Sequence, residues 1–276
     1  MYREGDKIIV TAIIQARMRS TRLPGKVLYS VNDKPILGYV YERVRLCDDI
    51  ENIVIATSEL PEDDPVFEFC HKESILCYRG SESDVLKRYL DAALFVQDMR
   101  GKTPDPIFRI TADCPLVDPA FLSKLLIFFR ENHLDYAGLG ESFPDGFNAE
   151  IFGLQVLKKI VLDARKPSER EHVTPFIKAH PELFHFKYLE LEHTAKILGF
   201  PQLEKLNHLL LSLDESQDFE VISSILSHLY PLNPNFSMKD VLQYIIENKC
   251  LQPRIDKRGS AVGYLSSVSQ EEEFQA

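Results

Sequence analysis

Apolar runs and helix-spaced segments alternate along the first half of the chain. Residues 8–14 form an uncharged run rich in β-branched side chains, and residues 52–57 and 106–111 form two more apolar runs. The first run does not alternate with polar positions, which is the pattern of a strand buried on both faces of a parallel sheet. A shorter strand is predicted over residues 74–78.

Helical spacing fills the intervals between these runs. We predict helices over residues 35–46, from about 61 to 72, over 84–99 and over 119–131. In the first of them Ile36, Val40 and Val44 recur at a spacing of four and form a stripe that faces a core. This alternation predicts an α/β fold with a mostly parallel, doubly wound sheet. Right-handed crossovers would bring the carboxyl ends of the strands to one edge of that sheet.

Shorter elements follow in the second half of the chain. We predict a strand over residues 134–137, helices over 154–164 and from about 168, and a fourth apolar strand over 208–213. A helix that follows the 214–219 segment would run to about 229, and a last helix would span 238–248. The chain would then divide into an α/β domain at 1–230, a C-terminal helix packed on it at 231–252, and a polar, mobile tail at 253–276.

Composition excludes several classes of partner. The net charge of −10 over 276 residues argues against nonspecific binding of nucleic acid or of an anionic membrane surface. The five cysteines show no C-x-x-C spacing, so neither a zinc site nor a disulfide framework is indicated, and we expect a reduced, cytoplasmic protein. We find no signal-peptide pattern and no apolar run long enough to span a bilayer.

The segment after the first strand is strongly basic. Residues 15–26 read Q-A-R-M-R-S-T-R-L-P-G-K, with four cations, two small hydroxyls and no acidic residue. At the carboxyl end of a buried strand, such a loop predicts a site for a phosphate chain, because arginine makes bidentate contacts with phosphate oxygens. Neither the Walker A pattern nor G-x-G-x-x-G is present. A solvated turn paired with surface carboxylates is the alternative.

This segment resembles the signature of the cytidylyltransferases that activate sugar acids, above all the spore-coat polysaccharide branch. R-I-T-A-D-C-P at 109–115, P-D-G-F-N-A-E-I-F at 144–152 and R-E-H-V-T-P at 170–175 are similar to further signatures of that branch. The resemblance covers about residues 8–229. It implies a sheet of the nucleotide-diphospho-sugar transferase type, with an inserted sugar-side and dimerisation segment at about 145–195.

The resemblance also implies a reaction and the residues that carry it out. CMP would be transferred from CTP to a sugar acid with release of pyrophosphate, for surface polysaccharide or glycoconjugate synthesis by a homodimer. The implied catalytic residues are Arg17, Lys26 and Asp113, and Asp113 and Asp214 would hold Mg²⁺. The implied nucleotide-binding residues are Ala16, Arg17, Ser20, Thr21, Arg22, Lys26, Asp84 and Arg109. The implied sugar-side residues are Asp145, Glu150, Arg170, Glu171 and His172.

The chain departs from the family pattern at several positions. Arg19 and Ala112 stand where the family has glycine, and Leu209 and Ser212 are unusual before Asp214. These departures favour a non-catalytic nucleotide-binding or regulatory subunit as an alternative. A glycosyltransferase of related fold is another, although it would be expected to show D-x-D at a strand end.

Two local questions stay open from the sequence. Asp113 and Asp214 could be turn or helix-capping residues rather than metal ligands. Arg19 could contact phosphate, or it could strain the loop if its φ is positive, and we expect the second.

Overall fold

The computed structural model describes residues 8–191 and 208–255. Within them the strands are β1 (Ile8–Gln15), β2 (Ser30–Val31), β3 (Lys34–Pro35), β4 (Asn52–Ser58), β5 (Cys77–Gly80), β6 (Thr103–Thr111), β7 (Tyr136–Leu139), β8 (Glu150–Phe152), β9 (Phe186–Leu189), β10 (Leu209–Leu210) and β11 (Arg254–Ile255). The described helices are α1 (Ile36–Arg45), α2 (Asp64–Lys72), α3 (Val85–Arg100), α4 (Pro119–Glu131), α5 (Leu154–Asp163), α6 (Pro167–His172), α7 (Pro175–Ala179), α8 (Ser216–Leu232) and α9 (Met238–Glu247).

Seven of the described strands form the central sheet, in the order β5–β4–β1–β6–β8–β7–β9. β5, β4, β1 and β6 are parallel to one another, and β7 is parallel to β9. β8 runs antiparallel to both β6 and β7. The predicted mostly parallel sheet is therefore confirmed. The antiparallel strand was missed because it has three residues and begins with a glutamate.

Helices cover both faces of this sheet. Ala12 and Ile14 of β1 pack with α1, α2 and α4, whereas Ile13 faces the core beneath α3 and α5. All three side chains are fully buried. Burial on both faces explains why the strand sequence is apolar without alternation.

The predicted fourth strand is wrong in its extent and its partner. Only Leu209–Leu210 is a strand, and it pairs antiparallel with Arg254–Ile255 rather than with the central sheet. Leu209, Leu211 and Leu213 are buried in the core beneath α8 and α9, which accounts for the apolar run. The predicted tail thus begins with a paired strand, and its remainder, 256–276, lies outside the described residues.

Arg43 of α1 joins the loop between α8 and α9 to the loop that precedes α4. This buried side chain donates to the carbonyl oxygens of Val117 at 2.9 Å, Pro234 at 2.7 Å and Phe236 at 2.8 Å, and its guanidinium carbon lies 3.6 Å from the Phe236 ring centroid. Burial lowers the pKa of Arg43 to about 10. α8 continues to Leu232, beyond the predicted boundary at 230. Within the described ranges no helix combines the length and the apolar character needed to cross a bilayer.

Candidate active site

The basic loop after β1 is a fixed turn. Its closing glycine, Gly25, has φ +74° and donates its N–H to the Met18 carbonyl at 2.8 Å. The Met18 N–H in turn donates to the buried carboxylate of Asp63 at 2.6 Å. The Ser20 hydroxyl accepts from the Leu23 N–H at 3.2 Å, so it has a role in the turn itself. The loop contains one glycine, so its cationic side chains rather than a glycine-rich backbone would contact a phosphate chain.

Lys26 lies between the two predicted metal ligands. Its Nζ is 2.7 Å from Asp113 Oδ2 and 2.9 Å from Asp214 Oδ1, and Arg22 Nη2 is 2.8 Å from the same Asp214 oxygen. Lys26 is 8% exposed. Burial alone would lower the pKa of Lys26, but the two aspartates raise it overall. Burial would likewise raise the pKa of Asp113, and Lys26 lowers it overall. The basic loop and the two carboxylates thus form one charged cluster.

Neither of these aspartates caps one of the described helices. The carboxylate of Asp218 accepts the N–H groups of Asp214 at 2.9 Å and Glu215 at 2.7 Å at the start of α8. Asp118 caps α4, accepting from the Ala120 N–H at 2.9 Å. The capping alternative is therefore wrong for both predicted ligands, and their carboxylates are turned toward Lys26.

A third carboxyl lies beside the pair. Asp145 accepts from the Ser212 hydroxyl at 2.8 Å and from the Gly146 N–H at 2.9 Å. Burial raises the pKa of Asp145 to about 6, and the charges of Asp113 and Asp214 act in the same direction. This residue, predicted on the sugar side, therefore lies near the carboxylate pair.

Backbone hydrogen bonds hold the Asp214 segment at the sheet edge. The Leu211 N–H donates to the Asp145 carbonyl at 3.0 Å, and the Leu213 N–H donates to the Asp113 carbonyl at 2.8 Å. Gly146, with φ +99°, lies directly against the Leu211 backbone. These backbone contacts, and not a strand of the central sheet, place Asp214 near Asp113.

Two further cations of the loop face acidic residues. Arg17 Nη2 donates to Glu171 Oε1 at 3.3 Å, and the nearest guanidinium nitrogens of Arg17 and Arg19 each lie 4.0 Å from Glu82 Oε1. Glu171 was predicted on the sugar side, whereas Glu82 was missed. The loop therefore spans the space between the carboxylate pair and the 170–172 segment.

Glu150 is the centre of a second buried cluster. Its carboxylate accepts from Arg109 Nη1 at 2.7 Å, Lys178 Nζ at 3.0 Å, the Tyr136 hydroxyl at 2.5 Å and the Thr174 hydroxyl at 2.8 Å. Burial would raise the pKa of Glu150, but Lys178 and Arg109 hold it well below its usual range. A predicted nucleotide-side residue and a predicted sugar-side residue thus form one ion pair.

Sequence comparisons with known proteins identify the family of this chain. A family model described as cytidylyltransferase matches residues 11–224. The chain belongs to the cytidylyltransferase family. It is 34% identical over 218 residues to the spore coat polysaccharide biosynthesis protein SpsF of Bacillus subtilis, covering 77% of this chain and 84% of that protein. It is 29% identical to the 8-amino-3,8-dideoxy-manno-octulosonate cytidylyltransferase of Shewanella sp. strain ANA-3, over 56% of each chain.

A solved structure supports the same family and fold. The cytidylyltransferase of Leptospira borgpetersenii superposes with a TM-score of 0.75 and is 31% identical, covering 90% of this chain and 97% of that one. The predicted resemblance is therefore confirmed at the level of the family.

Two predicted residues of this cytidylyltransferase pair with each other. Arg170 donates to Asp84 Oδ2 through Nε at 2.9 Å and Nη2 at 2.5 Å. The other oxygen of Asp84 caps α3, accepting from the Lys87 N–H at 2.9 Å. Arg170 also donates to two carbonyls at the end of α5. The contacts of Asp84 and Arg170 anchor the 170–172 segment to α3.

The remaining predicted residues differ in exposure. Ala16 is buried and Thr21 is exposed on the loop. Burial lowers the pKa of His172, which lies near the charges of Glu171 and Arg109. Val173 has φ +73°, and the Thr174 N–H donates to the His172 carbonyl at 2.9 Å, closing a γ-turn. That turn directs the Thr174 hydroxyl to the buried cluster described above.

The departures from the family glycines cause no backbone strain. Neither Arg19 nor Ala112 is among the described residues with positive φ, so the expected strain at Arg19 is wrong. The Arg19 side chain is 62% exposed. Its backbone φ is not in the left-handed region. Ala112 is buried, and its N–H donates to the Gln15 carbonyl at 3.0 Å.

Proposed function

We propose that this cytidylyltransferase transfers CMP from CTP to a sugar acid and releases pyrophosphate. The convergence of Lys26 and Arg22 on the Asp113–Asp214 pair is the observation that carries this proposal. In an in-line displacement the sugar hydroxyl attacks the α-phosphorus, and the pyrophosphate leaves. Arg17, Arg22 and Lys26 would orient the triphosphate and neutralise the leaving pyrophosphate, so catalysis consists mainly of positioning and charge stabilisation.

Asp113 and Asp214, which both bond Lys26 Nζ in this structure, would be the carboxylate ligands of a magnesium ion. Mg²⁺ in nucleotide sites takes one or two carboxylates and completes its shell with phosphate oxygens and water. Within residues 8–191 and 208–255 no group of three or more His, Cys, Asp or Glu side chains forms a metal cage. A two-carboxylate site that is completed by substrate matches that chemistry. When bound, the ion would neutralise developing charge on the phosphates.

The sugar acid is inferred from the relatives and from the charge of the site. One relative is named for an octulosonate and another for spore coat polysaccharide biosynthesis. In this chain Arg17 is paired with Glu171, whereas Arg109 and Lys178 share the single carboxylate of Glu150, which leaves one positive charge in excess in that cluster. An excess positive charge in the segment that was predicted to receive the sugar suits an acceptor that carries a carboxylate.

Pyrophosphate release tests this proposal. The protein would be incubated with each of the four nucleoside triphosphates, a panel of eight- and nine-carbon sugar acids, and Mg²⁺. We expect pyrophosphate together with a CMP-sugar, detected by mass spectrometry, with CTP and at least one sugar acid. Calorimetric binding of CTP without turnover on any acceptor would instead favour the nucleotide-binding subunit.

Arg19 gives a prediction of defined sign. Because its backbone is unstrained and its guanidinium lies with Arg17 beside Glu82, we expect Arg19→Gly to weaken CTP binding. A fully formed charge-assisted contact is worth about 1.5–3 kcal/mol, and exposure reduces this, so we expect a loss of about three- to tenfold in affinity. Calorimetry with Mg²⁺ measures it. Arg165→Gly, at an exposed position outside the loop, is the control. Tighter binding by Arg19→Gly would contradict the prediction.

We also propose that the protein is a homodimer joined through residues 148–191. β9 in this segment lies at the edge of the sheet, and Leu183 and Tyr188 are 47% and 37% exposed. Twofold dimers are the commonest oligomers, and a sheet edge with exposed apolar side chains suits such a contact. Light scattering at micromolar concentration should give twice the chain mass for the protein and a smaller mass for Leu183→Asp. A monomeric wild-type protein would refute this proposal.

A further inference from the structure

Arg254 lies 30 residues beyond the part of the chain that the family model matches. It belongs to β11, which pairs with the segment that leads to Asp214: Leu209 lies opposite Ile255, and Leu210 lies opposite Arg254. A strand beyond the residues that the family model matches is therefore hydrogen-bonded to the segment that leads to one of the two central carboxylates.

The side chain of Arg254 makes a two-pronged contact with Asp218. Nε donates to Oδ1 and Nη2 donates to Oδ2, both at 2.7 Å. The Asp218 side chain is 1% exposed. Parallel paired bonds of this kind fix the orientation of a carboxylate as well as neutralise it. Asp218 is thus held in one position by a residue from the C-terminal strand.

The fixed position of the Asp218 carboxylate constrains the backbone at Asp214. The same Oδ2 atom accepts the N–H groups of Asp214 at 2.9 Å and Glu215 at 2.7 Å. Asp214 in turn faces Lys26 at 2.9 Å and Arg22 at 2.8 Å. Without Arg254 the buried Asp218 carboxylate would lose both paired bonds and its cation, which is costly, and it would move toward water. That movement loosens the two N–H bonds that orient Asp214.

We propose that Arg254 is a positioning residue for Asp214, so that the C-terminal strand completes the active site. Its effect on metal binding rests on the proposed function, in which Asp214 is a metal ligand. Removing a partner that orients a ligand costs about 10–100-fold in metal affinity in known sites. We expect a loss of that size in Arg254→Ala, with a smaller loss in Arg254→Lys, which keeps the charge and loses the paired geometry.

Two measurements on the full chain test the proposal. The first is hydrogen exchange of the Asp214 and Glu215 amides, which requires no ligand and should be at least several-fold faster in Arg254→Ala. The second is Mn²⁺ binding with CTP, followed by electron paramagnetic resonance. Guanidinium at about 50 mM, far below the molar range that unfolds proteins, should restore Mn²⁺ binding to Arg254→Ala.

Two control variants separate positioning from general stability. Lys34→Ala removes an ion pair with Glu42 and a contact with Tyr230 of α8, away from the carboxylate pair. Glu215→Gln removes the outer ion pair of Arg254, at 2.8 Å, and keeps a side-chain oxygen that can accept at the start of α8. Both should keep wild-type amide exchange at Asp214 and wild-type Mn²⁺ affinity.

The outcomes distinguish this inference from the proposed function. Unchanged exchange at Asp214 in Arg254→Ala overturns the inference, and so does faster exchange with unchanged Mn²⁺ affinity. An equal loss of Mn²⁺ binding in Lys34→Ala also overturns it, because the effect would then be general instability. If the wild-type protein binds no Mn²⁺ with CTP, the proposed metal site fails, and amide exchange alone decides whether Arg254 anchors Asp214.

Discussion

Asp113→Asn is expected to lower Mg²⁺-dependent turnover by at least about 100–1,000-fold, the usual cost of removing one preorganised charge-stabilising group. Asp113 Oδ2 lies 2.7 Å from Lys26, at the centre of the charged cluster. Asparagine has nearly the same shape, and the Asp113 carbonyl would still accept the Leu213 N–H. The fold should therefore stay intact while the anionic ligand is lost. Pyrophosphate release over a range of Mg²⁺ concentrations measures the effect, together with a thermal melt.

Asp118→Asn is the matched control. Asp118 is also a buried aspartate close to the same strand end, but it caps α4 and accepts the Met238 N–H at 2.7 Å. Its replacement should lower the melting temperature and leave turnover close to the wild-type value. Full activity in Asp113→Asn, with a normal melt, would show that this carboxylate holds no essential metal.

The central sheet was predictable because its strands have a strong local signal. β1, β4 and β6 are apolar runs whose bounds follow from the sequence to within a few residues, and the helices between them keep a regular apolar stripe. Because parallel strands end at one edge of the sheet, the sequence predicted that Asp113 lies near the basic loop. β8 gave no such signal, because it is short and its pairing is set by the tertiary contacts of its neighbours.

Asp214 lies beside Lys26 and Asp113 as predicted, but its segment is placed there differently from the prediction. The prediction treated it as the end of a fourth strand at the edge of the sheet. The structure instead holds its segment by hydrogen bonds to the backbone of Asp113 and Asp145. An apolar run cannot reveal this, because burial against α8 and α9 and burial in a sheet select the same residues.

The partners of the charged residues were the least predictable feature. Glu150 meets Arg109 across 41 positions, and Arg170 meets Asp84 across 86. The contact between Arg254 and Asp218 likewise spans 36 positions. Spacing along the chain carries no information about pairs of this kind, since they are set by how distant elements pack. A single sequence therefore indicates which charged residues lie at the edge of the sheet. It does not indicate which of them form ion pairs with each other.

Gly146→Ala is expected to destabilise the protein by about 2–5 kcal/mol, since it combines backbone strain with an overpacked contact. Gly146 has φ +99°, which L side chains rarely adopt. An added Cβ would lie 2.3 Å from the Leu211 carbonyl carbon and 2.7 Å from the Ser212 nitrogen. These are backbone atoms, which cannot rotate away as a side chain could. The segment would have to shift, and it carries Asp214, so turnover should fall as well.

Gly101→Ala separates the contact from the strain. Gly101 has φ +61°, and no atom of the described residues lies within 4 Å of the Cβ that it would gain, so this variant has only the left-handed penalty of about 1–2 kcal/mol. Urea unfolding gives the free energy of unfolding for both variants, and the difference between them measures the contact with Leu211. Pyrophosphate release should be reduced in Gly146→Ala alone. Equal stability of the two variants would mean that the 211–214 segment yields freely, and that Gly146 does not fix the position of Asp214.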